Sequence, residues 1–248
     1  MPGERLHAYS PWPPEQARLV AHAADAAFAA GVIIGSLQGV PVSIKDLFAA
    51  SGYPCFAGSS RRLPADPWER DGPLVAALCR QLGVIMGKAH MVEFAFGGTG
   101  HNSHWGAPYN PWDAAAHRSV GGSSSGAGVS LLEGSALLAC GNDTAGSVRI
   151  PASMTGTVGL EVTLGRWSTE GVVPLSSTFD TPRLLARSVS DASAVPTMSA
   201  RYQARRERMA EAGSSPWRSF LQFHGTRCRF RDDRAIGRVT PARQPFFA

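Results

Sequence analysis

Residues 121–160 read GGSSSGAGVSLLEGSALLACGNDTAGSVRIPASMTGTVGL, and their order decides the fold class. A glycine- and serine-rich loop, Gly121–Gly128, leads into a stretch, 125–134, that can form a helix. Ala136–Asn142 is apolar and reads as a buried strand. A second loop of small residues, Gly141–Ser147, follows it, and a further helix is expected to open at about Ser147. Upstream, GVPVSI (39–44) is short, apolar and β-branched, a buried strand ending at Lys45, and VIMGK (84–88) is another. The Ala-rich 14–30 reads as a helix stopped by Gly31, and 71–82 as a helix capped by Asp71. Strand and helix signals alternate. The expected class is α/β, with a mixed, largely parallel central sheet covered by helices.

The chain has 248 residues, of which 44% are hydrophobic and 17% charged, enough for one large domain or two small ones. No apolar run is long enough to span a membrane, and the opening MPGERLHAYS lacks the apolar core of a secretory signal. Four cysteines stand far apart without a CxxC pair, the usage of a reduced, cytoplasmic protein. The net charge of +5 is uneven: residues 201–248 carry 11 Arg and four acids, whereas residues 1–200 have a net charge of −2. The basic character belongs to the end of the chain, so nucleic acid is not an expected partner of the body. Periodic patterning fades after about Ala194, which divides the chain into residues 1–194 and an Arg-rich tail, 195–248. Only two residues are lysines, Lys45 and Lys88.

The glycine-rich loops do not fit phosphate binding. No Gly-Lys-Ser/Thr follows either, and GxGxxG is absent. Gly122–Gly126 formally matches GxSxG. However, a poor strand precedes it, and the one histidine after Ser124 is His224. The remaining chemistry joins a lysine to serines. A serine hydroxyl needs a base, and a lysine desolvated into its neutral form can supply one. Lys45 reads either as that base or as a solvated strand-end residue beside Asp46. Ser147 reads either as a helix N-cap or as a nucleophile on a loop whose amides converge. Lys88 reads as a solvated strand-end residue. His90, His101, His104 and His117 are spaced too irregularly for a metal site.

GVPVSIKDLF (39–48), GGSSSGAG (121–128) and GNDTAGSVRIPASMTGTVGL (141–160) together resemble the amidase signature family. KAHMVEFAFGG (88–98), NPWD (110–113) and GRWSTEGVVPLSSTFDTP (165–182) extend the likeness over roughly residues 30–194. The resemblance implies a Ser–Ser–Lys triad of Lys45, Ser123 and Ser147, with a cis peptide bond before Ser123. It implies an oxyanion loop of Thr144, Ala145, Gly146 and Ser147, and an acyl-enzyme on Ser147. Ser124 and Ser125 would support the first loop, Arg149 would pair with a carboxylate such as Asp143, and Glu93 and Phe94 would line the substrate cleft. No cofactor or metal is implied. The expected partner is a small-molecule amide, and a homodimer is left open. Two alternatives stand beside an amide hydrolase: the amidase-like component of a tRNA-dependent amidotransferase, and an inactive truncated fragment. Full-length members of the family are longer, so the fold is expected to be incomplete. The sequence departs from the family pattern in having Arg183 for a glycine, which would strain a turn there, and Glu161 for a lysine.

Overall fold

The computed structural model describes residues 6–10, 14–113 and 116–194; the tail expected at 195–248 lies outside them. The elements, in chain order, are α1 (Glu15–Ala29), β1 (Pro41–Lys45), the single turn α2 (Ala65–Trp68), α3 (Pro73–Cys79), β2 (Val84–Ala89), α4 (Ser125–Leu132), β3 (Leu138–Asp143), α5 (Arg149–Thr155), β4 (Val158–Leu160), β5 (Thr181–Ala186) and α6 (Val189–Ala194). The strands form one sheet in the order β2-β1-β3-β5-β4. β1 pairs in parallel with β2, Lys45 opposite Ala89, and with β3, Ile44 opposite Cys140. β5 runs antiparallel to β3, Gly141 opposite Arg183, and to β4, Gly159 opposite Leu185. Four strands therefore share one direction and β5 opposes them, so the sheet is mixed and largely parallel.

Strand alternation assigns the two faces of the sheet. Val42, Ile44, Leu138, Cys140 and Leu184 enter the larger core with Leu74, Val75 and Leu78 of α3 and with Phe48 and Trp167. Ala139 and Leu185 point the other way, against Ala127 and Leu131 of α4 and Val148 and Ala152 of α5. Each fully buried leucine in these layers contributes roughly 1.5–3 kcal/mol. Lys45 follows Ile44 and so lies on the α4–α5 face, at the carboxyl end of β1.

The small residues of α4 pack this layer closely. A side chain at Gly126 would collide with the Ala8 carbonyl and the His90 amide. Those two groups hydrogen-bond each other at 2.9 Å beside the helix. The expected role of these glycines, letting a ligand near the backbone, is thus taken in α4 by neighbouring protein.

Several expectations are corrected at element ends. Asp71 does not cap α3: Gly72 is the N-cap, and Pro73 opens the helix, where its missing N–H costs nothing. The Asp71 carboxylate instead accepts the Ser51 amide at 2.7 Å. Ser147 is not the N-cap of α5, which begins at Arg149 after Val148 and closes at Gly156 with φ of 68°. Arg183 strains no turn, because it lies within β5 in extended backbone.

Candidate active site

Three carboxyl-terminal features converge on the α4–α5 face. β1 ends in Lys45. β3 ends in Asp143 and the loop Thr144–Val148. The loop Gly121–Ser124 enters α4 and contains a cis peptide bond between Gly122 and Ser123. Gly141, on β3 beside Lys45, has no side chain, and a Cβ there would stand 2.9 Å from the Ser124 hydroxyl. That space lets the serine loop lie close against the sheet.

Lys45 and Ser123 are both 0% exposed. The Lys45 Nζ donates to Ser123 Oγ at 2.6 Å and to the Asn142 carbonyl at 3.4 Å. Burial pushes the Lys45 amine down to about 7, while the carboxylates of Asp143 and Asp180 pull it back only in part. An amine poised near neutrality is a competent proton acceptor. Ser147 is 8% exposed, and its carbonyl accepts the Ser124 amide at 3.2 Å, joining the two loops by their backbones. The Ser123 carbonyl accepts the Val92 amide at 3.1 Å, which ties in the segment after β2. Lys45 and Ser123 thus meet side chain to side chain, and Ser147 is anchored next to them through its main chain.

Asp143 organises the second loop. Its carboxylate accepts the Gly146 amide at 2.6 Å and the Val148 amide at 3.1 Å. Arg149 donates to it twice, at 3.2 Å each. Burial raises the Asp143 pKa, but Arg149 and the two amides outweigh it and hold the carboxyl below its usual value. Of the four expected oxyanion residues, Gly146 thus turns its amide to Asp143. Thr144 gives its hydroxyl to Asp180. Asp180, which sequence reasoning passed over, also accepts the Leu175 and Ser176 amides at 2.8 and 3.1 Å. It pins the 175–180 turn to the loop. Ser125 bonds His90 Nδ1 at 2.8 Å, whereas Ser124 Oγ is buried without a partner. Glu93 pairs with His104 at 3.2 Å, and Phe94 is half-exposed. Among the described residues no group of three or more His, Cys, Asp or Glu is placed to hold a metal.

Lys88 corrects the reading of a solvated strand end. It is 1% exposed, lies 3.7 Å from Asp46 and donates to the Phe48 carbonyl. Asp46 follows Lys45 in sequence, so strand alternation sends it to the opposite side, away from the Lys45 amine and toward Lys88.

A profile of the amidase family matches residues 3–222. The chain belongs to the amidase family. This amidase chain is 59% identical over 187 residues to the 2-amino-5-chloromuconic acid deaminase of Comamonas testosteroni, covering 75% of the chain and 40% of that relative. It is 43% identical to the amidase-type component of the glutamyl-tRNA(Gln) amidotransferase from Anaeromyxobacter dehalogenans, covering 73% of the chain and 36% of the relative. In three dimensions it resembles the native peptide amidase of Stenotrophomonas maltophilia with a TM-score of 0.71 at 34% identity, over 78% of the chain and 40% of that structure. The chain therefore spans about 40% of the length of the relatives it matches.

Proposed function

We propose that this chain carries the reacting groups of an amide hydrolase, with Lys45 as base, Ser123 as relay and Ser147 as nucleophile. The observation that carries the reading is the 2.6 Å bond from Lys45 Nζ to Ser123 Oγ inside a fully buried pocket of the fold. Ser147 Oγ attacks the amide carbonyl carbon. Its proton passes to Ser123 Oγ, whose own proton passes to the neutral Lys45 amine. The amides of Ala145 and Ser147 take the developing oxyanion, since that of Gly146 is held by Asp143. Collapse breaks the C–N bond, and the proton returns by the same route to the departing nitrogen, which is a poor leaving group without it. Water then attacks the acyl-Ser147 ester under the same base, releasing the acid and regenerating the serine.

The substrate class is a small carboxylic amide or a related C–N compound, with ammonia or an amine as product. The likeness to a deaminase and to a peptide amidase supports it. No helix among the described residues is long and apolar enough to cross a membrane. Cys55, Cys79 and Cys140 are free thiols, which fits work in the cytoplasm. The match to the amidotransferase component favours one second reading, the same chemistry applied to glutamine inside an assembly. Glutaminase activity that appears only on adding partner proteins would select it.

The test is mass spectrometry after incubation with a fluorophosphonate. The expected result is one adduct on Ser147, absent from Ser147→Ala. A label on another serine, or none on a folded chain, would contradict the assignment.

A further inference from the structure

Glu161 and Arg183, the two departures from the family pattern, meet in the fold. Arg183 stands opposite Gly141 in the β3–β5 ladder and is 4% exposed. Its Nη2 donates to Glu161 Oε1 at 2.9 Å. Glu161, directly after β4, approaches Arg149 Nε with its other oxygen at 2.9 Å. Arg149 grips Asp143, and Asp143 holds the amides of Gly146 and Val148, the residues on either side of Ser147. A continuous chain of charge-assisted hydrogen bonds therefore runs from β5 to the backbone around the nucleophile.

We propose that Glu161 and Arg183 are positioning residues for the Thr144–Val148 loop, holding Arg149 against Asp143 and thereby fixing the main chain that flanks Ser147. The charge arrangement gives the reason. Two guanidinium groups face a single carboxylate, Glu161, and the buried one, Arg183, cannot retreat into water. Arg149 can, because half of its side chain is exposed. Removing Glu161 leaves two cations to repel each other, and the mobile one leaves Asp143. The buried carboxylate then keeps only its two amides, and the loop loosens. An isolated exposed ion pair would contribute about 0–1 kcal/mol and could be deleted without effect. This one is coupled at both ends to buried groups, so its loss is transmitted.

The functional meaning rests on Ser147 being the nucleophile, and the experiment separates the two claims. Glu161→Lys restores the residue type of the family pattern while Arg183 remains. It is expected to speed amide hydrogen exchange in peptides covering 144–150 at least tenfold, with exchange at 41–45 and 138–142 unchanged. Labelling of Ser147 by a fluorophosphonate should slow about tenfold. Adding Arg183→Gly removes the surplus cation and should recover most of both losses, a non-additivity that general destabilisation does not produce. If Glu161→Lys does not fold, Glu161→Gln, of the same size, should show the same local loosening at about threefold. Exchange at 144–150 within twofold of the parent, or a rise spread equally over the sheet, would overturn the proposal. The expected exchange pattern with no labelling of Ser147 in the parent chain would uphold the positioning role and sink the nucleophile reading alone.

Discussion

Lys45 and Lys88 are the chain's two lysines, and they sit on neighbouring strands, buried to almost the same degree. One faces a carboxylate and the other does not. Lys88 lies 3.7 Å from Asp46, whose oxygens also accept the Phe56 and Gly58 amides at 3.3 and 3.0 Å. Lys45 touches only a hydroxyl and a carbonyl, while the nearest acids, Asp143 and Asp180, spend their oxygens on amides, a threonine and Arg149. Burial with a matched countercharge makes a strut. Burial with the countercharges already engaged makes a base.

The largest effect that could break this contrast is kinetic. Lys45→Met should slow labelling of Ser147 by about a thousandfold, judged from the typical contribution of general base catalysis; Lys88→Met in a folded chain should leave the rate within a few-fold. Stability should then move in opposite senses. Lys88→Met strands the Asp46 carboxylate and should cost about 3–5 kcal/mol in urea unfolding. Lys45→Met should stabilise. The unfolded chain holds the proton up to about 10.5 and the folded site releases it at about 7. Stability therefore falls as pH drops from 10.5 to 7 and is level below, a penalty of about 4 kcal/mol at pH 7. Losing the bond to buried Ser123 returns about 1–3 kcal/mol of that, for a net gain of about 1–3 kcal/mol. The smallest effect concerns pH: the gain from Lys45→Met should shrink as urea midpoints are taken from pH 7 toward pH 10.

The residues of this contrast were unequally legible in the sequence. β1 and β3 announced themselves as short apolar runs, and the ordered lysine and serine motifs pointed to the loops that converge at their ends. The role of Lys88 did not show, because its partner is fixed by which face of β1 Asp46 occupies and by the β1–β2 register. β4 and β5 were not anticipated either. β5 pairs with a strand some 40 residues earlier, and its sequence, TPRLLA, carries a proline and a buried arginine where strand patterning expects apolar residues. The expected strain at Arg183 failed for the same reason: a residue judged from a local turn pattern proved to be a ladder position whose charge is answered by Glu161. Asp180 lay in plain view within a quoted motif. Its role depends on Thr144, 36 residues away, and no local spacing reveals that.

The central claim is that a neutral Lys45 draws the proton from Ser147 by way of Ser123. The rate of Ser147 phosphonylation between pH 5.5 and 9 tests it directly. The rate should rise tenfold per unit at low pH, bend near pH 7 and level above it, with the bend missing from Lys45→Met. A flat profile, or a bend that survives in Lys45→Met, would contradict it.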